Sequence, residues 1–121
     1  MSNRTVIAAV DDMFFAAKIR AVAEHLGVEV RFVRSADALV ASARENKPDL
    51  IIVDLQSQKI DPIESANRLK TDDDLSPIPV LGFFSHVLTE WQQKAKDAGY
   101  THIMPRSAFA SRLPQILNGQ I

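Results

Sequence analysis

The sequence predicts an α/β fold: a parallel sheet of five strands in the order 2-1-3-4-5, covered by helices on both faces, a three-layer sandwich. Three observations predict it. Two continuous apolar runs, 5–10 and 50–53, have the pattern of strands buried on both sides. Short apolar runs alternate with amphipathic stretches, giving five strands against five helices. The connections are short, and right-handed crossovers between such units lay the strands parallel.

Each element has its own signal. The first strand, Thr5 to Val10 (TVIAAV), ends in Asp11 and Asp12. Phe15, Ile19, Val22 and Leu26 then fall on one helical face, and Gly27 stands where a helix C′ glycine belongs. Residues 28–33 alternate Val28, Val30 and Phe32 against Glu29 and Arg31, a more exposed strand nearer an edge. Ser35 is an N-cap for a short helix carrying Leu39, Val40 and Ala43 inward, which stops before Pro48. Leu50 to Asp54 is the second fully apolar run and again ends in a carboxylate. Asp61, Pro62 and Glu64 supply an N-cap, an N1 proline and an N3 acid, so a helix starts there with Ile63, Ala66 and Leu69 inward. Asp72, Asp73 and Asp74 form a solvated turn beyond its end. Ile78 opens the fourth strand, which runs to Ser85. Thr89 caps a helix with Leu88, Trp91 and Ala95 on one side, closed by Gly99. Residues 100–104 are the fifth strand. The last helix is capped by Ser107 and must kink or restart before Leu113, because Pro114 would break an interior hydrogen bond.

With 121 residues, 46% of them apolar, the chain has the size of one domain, 1–121. It has no cysteine, which removes disulfides, thiolate metal sites and cysteine nucleophiles and suits a reducing, cytoplasmic setting. The net charge is −1, with eight basic and eight acidic residues up to position 60, so neither half is a basic surface for nucleic acid or membrane. No apolar run is long enough to span a bilayer. There is no Gly-rich dinucleotide loop, no Walker lysine and no nucleophile elbow. His25, His86 and His102 have no metal-ligand spacing.

In the predicted strand order the first and third strands are neighbours. Asp11, Asp12 and Asp54 therefore converge at the carboxyl edge of the sheet, where α/β proteins place their sites. Arg106 ends the fifth strand and Ser85 the fourth. Three like charges at one edge repel, and a hard divalent cation such as Mg2+ would make the cluster favourable. A carboxylate, a cation and a guanidinium together suit phosphoryl transfer.

These residues, with Ile78-Pro79-Val80 opening the fourth strand, resemble the receiver domain of bacterial response regulators, over almost the whole chain. The resemblance implies the flavodoxin-like (βα)5 fold. It implies that Asp54 accepts a phosphoryl group from a histidine kinase or phosphotransfer protein, with no catalysis beyond self-phosphorylation and aspartyl-phosphate hydrolysis. Asp11, Asp12, Asp54 and the backbone carbonyl of Gln56 would hold Mg2+. Arg106 would be the charge partner of the phosphate and Ser85 its hydroxyl. Output would pass to a downstream protein or through a homodimer at helix 4, strand 5 and helix 5.

The chain departs from the family in four places. Arg106-Ser107 replaces a lysine and proline, Phe84 falls where a Ser or Thr belongs, Ile103 replaces the aromatic of the fifth strand, and Gln58 and Pro62 replace proline and glycine. A pseudo-receiver, acting as an interaction or dimerisation module without phosphate, is the alternative. Asp11 and Asp12 also have a plain reading as caps of the first helix. Phe15 fits the core, whereas Phe14 fits a cover over the site, a partner contact or a structural role. Trp91 fits the core or the helix 4 surface.

Overall fold

The computed structural model describes residues 4–85 and 89–120, except for the side chains of Thr89 and Trp91. Five parallel strands form one sheet in the order β2-β1-β3-β4-β5. They are β1 (Thr5–Ala9), β2 (Glu29–Phe32), β3 (Leu50–Asp54), β4 (Val80–Phe84) and β5 (His102–Pro105). The helices are α1 (Met13–Leu26), α2 (Ala36–Glu45), α3 (Pro62–Lys70), α4 (Thr89–Ala98), α5 (Arg106–Ser111) and α6 (Leu113–Leu117).

The central strands are apolar throughout because both their faces are buried. Side chains alternate along a strand, so Val6, Ala8, Val10, Leu50, Ile52, Leu81 and Phe83 pack with α1, α5 and α6. The alternate residues Ile7, Ala9, Ile51, Val53, Val80 and Phe84 pack with α2, α3 and α4. Each large side chain buried this way contributes roughly 1.5–3 kcal/mol. Gly82 in β4 is a packing requirement: a Cβ there would meet the Leu55 side chain at 2.7 Å.

Most of the predicted caps are present. Ser35 accepts the Ala38 N–H at 3.0 Å. Asp61 accepts those of Ile63 and Glu64, both at 3.0 Å. Gly27, at φ 71°, ends α1 in the left-handed conformation. The last helix restarts as expected, with Pro114 in the first turn of α6, where its missing N–H costs nothing.

Several boundaries differ from expectation: β1, β2, β4 and β5 end at Ala9, Phe32, Phe84 and Pro105, one residue from the expected ends, and four element starts move. Val28 donates to Ala23, finishing α1, so β2 begins at Glu29. Ile78 donates to Leu75 in the preceding turn and Pro79 has no N–H, so β4 begins at Val80. Tyr100 donates to Ala95, closing α4, and β5 begins at His102. Ser107 is not a cap: α5 begins at Arg106 behind Pro105, whose ring sets φ at −66° and pre-organises the first turn. The expectations for Leu88 and for the Thr89 and Trp91 side chains lie outside the described residues.

Two ties hold the rim at the amino ends of the strands. Lys70 Nζ donates to the carbonyls of Ser76 and Ile78, and burial lowers its pKa. Arg4 Nε donates to the Leu117 carbonyl at 2.8 Å.

Candidate functional site

The register brings the predicted carboxylates together. Ala9 pairs with Val53 across β1 and β3, so Asp11 and Asp12 leave β1 beside Asp54 at the end of β3. Phe84 pairs with Pro105 across β4 and β5, which places Ser85 and Arg106 at the same edge.

Asp12 does two jobs. Its Oδ1 accepts the Phe15 N–H at 3.0 Å and caps α1; its Oδ2 accepts Arg106 Nη2 at 2.8 Å. The Phe15 N–H and the Arg106 guanidinium hold the Asp12 carboxyl below its ordinary pKa. The capping reading of Asp12 is realised on Oδ1, while Oδ2 pairs with Arg106, a partner that the sequence reading assigns to the phosphate.

Arg106 is also stacked, with Cζ 4.4 Å from the centroid of the Phe15 ring. That ring is buried and lies 5.1 Å from Phe83 and 5.4 Å from Phe109. Phe14, by contrast, is 91% exposed, which excludes a core role for it.

Asp54 is half-buried. Its Oδ1 accepts the Gln56 N–H at 2.9 Å in an Asx-type turn. Burial raises its pKa, the Gln56 N–H opposes the shift, and the charge of Asp11 reinforces it. The charges of Arg106 and Asp12 also reach it, with opposite signs. The carboxylates thus share one electrostatic environment, as the strand order required.

The loop after Asp54 adds two contacts that the sequence did not reveal. Ser57 Oγ donates to Asp11 Oδ2 at 3.1 Å. The Gln56 side chain, for which only a backbone role was expected, accepts both the N–H and the hydroxyl of Ser85 at 2.6 Å through Oε1. A polar run, 56–58, directly behind the acidic strand end was the available signal. Ser85 stands just past the strand, exposed, while Phe84 is buried in the core. His86 lies outside the described residues.

The edge offers hard oxygen donors, and Mg2+ needs only one or two carboxylates, with waters or phosphate oxygens completing its shell. The charge of Asp11 reaches Asp54. The residues present therefore fit a divalent cation in donor chemistry. Among the described residues, however, no group of three His, Asp or Glu side chains is arranged to hold a metal ion, and both oxygens of Asp12 are engaged.

Comparison with known proteins agrees with this fold. Residues 6–118 match the family model of the response regulator receiver domain. The polar-differentiation response regulator DivK of Brucella anthropi is 30% identical over 80 residues, 66% of this chain and 65% of that protein. The chain thus matches slightly under two thirds of that relative's length. The phosphorylated cyanobacterial phytochrome response regulator RcpA superposes with a TM-score of 0.80 at 25% identity, covering 98% of this chain and 91% of that one. The receiver domain of the sensor histidine kinase PA1611 from Pseudomonas aeruginosa superposes with a TM-score of 0.84 at 18% identity, covering 98% of each chain. That structure has a magnesium ion coordinated in its active site cleft. The chain belongs to the response regulator receiver family.

Proposed function

Taking that membership as the premise, we propose that this receiver accepts a phosphoryl group on Asp54 from a histidine kinase or phosphotransfer protein and passes the signal to a downstream protein. The supporting observation is the placement of Asp54. It is half-buried, with Oδ1 held by Gln56 and its charge opposed by Arg106. Among the described residues no hydrogen bond is made to its Oδ2, which leaves that oxygen to attack. In transfer, the Asp54 oxygen–phosphorus bond forms as the phosphorus–nitrogen bond of the donor imidazole breaks, and the imidazole leaves with the electron pair. The Gln56 N–H orients the carboxylate throughout. Arg106 then exchanges Asp12 for the phosphoryl oxygens, to which its planar fork is suited. Asp11, Asp12, Asp54 and the Gln56 carbonyl would hold Mg2+, which when bound neutralises charge on the phosphoryl group.

The chemistry is that of a phosphorelay component acting in the cytoplasm, and no helix of the described residues is long and apolar enough to cross a membrane. A cleft lined by Gln92, Gln93, Lys96, Tyr100, Thr101 and Ile103 lies between α4 and β5, on the surface where we place the downstream contact or a homodimer. The test is incubation with a small phosphodonor and Mg2+ followed by intact mass. The expected result is one added phosphate, absent in Asp54→Asn.

A second reading, the pseudo-receiver, is favoured by the Ser85 hydroxyl being bonded to Gln56 and by Ile103 on β5. No added mass, with unchanged self-association or partner binding in Asp54→Asn, would establish it instead.

A further inference from the structure

We propose that Arg106 is a tethered competitor of the divalent cation: its guanidinium occupies Oδ2 of Asp12, the oxygen that a metal could take without disturbing the cap of α1, so the cation binds by displacing it. The inference rests on the reading that this edge takes a cation.

Asp12 has two oxygens and neither is idle. Oδ1 caps α1 through Phe15, and giving it up would cost the helix its N-cap. Oδ2 is therefore the exchangeable ligand, and Arg106 holds it at 2.8 Å. The guanidinium is kept there by a second, independent contact, the face of Phe15. That ring cannot swing away, because it is buried against Phe83 and Phe109. The backbone is restrained too, since Arg106 follows Pro105 as the first residue of α5. A lysine would bring a mobile point charge to this position. Arginine brings a flat cation that fits the carboxylate and the ring together. The Arg106 and Asp12 side chains are 38% and 36% exposed, so the competition is moderate and reversible.

The experiment is calorimetric titration of the 121-residue chain with MgCl2 in the absence of any phosphodonor. Arg106→Gln should bind Mg2+ about fivefold more tightly than the parent, the size expected for losing one half-exposed ion pair. Arg106→Lys keeps the charge but loses the planar stack and should fall between the two; it carries the test alone if the glutamine variant does not fold. Adding Asp12→Ser to Arg106→Gln keeps a capping side chain but removes the carboxylate, and should abolish the gain. Equal or weaker binding in both Arg106 variants overturns the inference, as does a gain that survives Asp12→Ser or an absence of Mg2+ binding in every variant. The outcome is separable from the phosphoacceptor assignment. Tighter Mg2+ binding in Arg106→Gln, with no phosphate on Asp54 of the parent chain, keeps the competitor and discards the phosphoacceptor. Phosphate uptake with unchanged Mg2+ binding does the reverse.

Discussion

The two faces of the sheet are built differently. The face under α1, α5 and α6 holds three aromatic rings in contact, Phe15, Phe83 and Phe109, the last two stacked at 4.7 Å and 11°. The face under α2, α3 and α4 is mostly aliphatic, its buried cluster holding Leu39, Leu55, Leu69 and Val80 with two aromatic residues, Phe84 and Tyr100. The aromatic face reaches the site directly, since Phe15 carries the Arg106 guanidinium. The aliphatic face meets the site through the loop after β3, where buried Leu55 and Ile60 flank the Gln56 and Ser57 that contact Asp54, Asp11 and Ser85. One face therefore supports the guanidinium, whereas the other supports the loop that holds the carboxylates.

Truncating a core residue on each face is the strongest way to break that contrast. Phe109→Ala should cost about 3–5 kcal/mol in denaturant unfolding, and Leu69→Ala about 2–5 kcal/mol. At a temperature where both remain folded, only Phe109→Ala should slow phosphate uptake by Asp54, because it alone loosens the ring under Arg106. Equal slowing would show that the faces are not distinct.

Gly82→Ala comes next. The new Cβ would collide with Leu55, whose move should cost about 1–3 kcal/mol. The loss should appear as a lower unfolding midpoint, with the Arg106–Asp12 pair still detectable by its response to salt.

Tyr100→Phe sharpens the comparison from the aliphatic side. The Tyr100 hydroxyl donates to the Pro62 carbonyl at 2.8 Å, joining the turn after α4 to the start of α3, and burial raises its pKa. Removing it leaves a buried carbonyl short of a donor, for about 1–2 kcal/mol by chemical denaturation.

The smallest effect concerns the site itself and has the opposite sign. The folded-state pKa of Asp54 is raised, so the native chain binds its proton more tightly than the unfolded chain does. Stability should fall as pH rises from the unfolded carboxylate value through the raised one, and stay lower above it. Asp54→Asn should thus raise the thermal midpoint at neutral pH in metal-free buffer, and the difference should vanish in acid. A lowered midpoint at neutral pH would show that burial and the neighbouring acids do not strain this carboxylate.

The sequence displayed the sheet clearly because a strand buried on both faces has little choice but an unbroken apolar run, as in Leu50 to Val53. Connection geometry gave a parallel sheet, and the 2-1-3-4-5 order natural to five such units at this length brought Asp11, Asp12 and Asp54 to one edge. What stayed hidden depended on side-chain reach. The partner of Arg106 is Asp12, 94 positions away, chosen by the location of the Phe15 ring. Gln56 was invisible as the acceptor for Ser85 because a flexible amide shows no periodicity. The start of α5 was misplaced because a serine is a strong capping signal, yet the proline before Arg106 already set the backbone for a helix.

The clasp between Arg4 and the Leu117 carbonyl, tight enough that a Cβ at Gly119 would meet the arginine at 2.8 Å, has a practical consequence. The start of β1 and the exit from α6 are neighbours on the rim away from the acids. A short peptide can therefore join them, with new ends opened in the exposed turn at Asp73 and Asp74. Such a rewired polypeptide should retain the carboxylate corner while carrying fused reporters on its opposite pole.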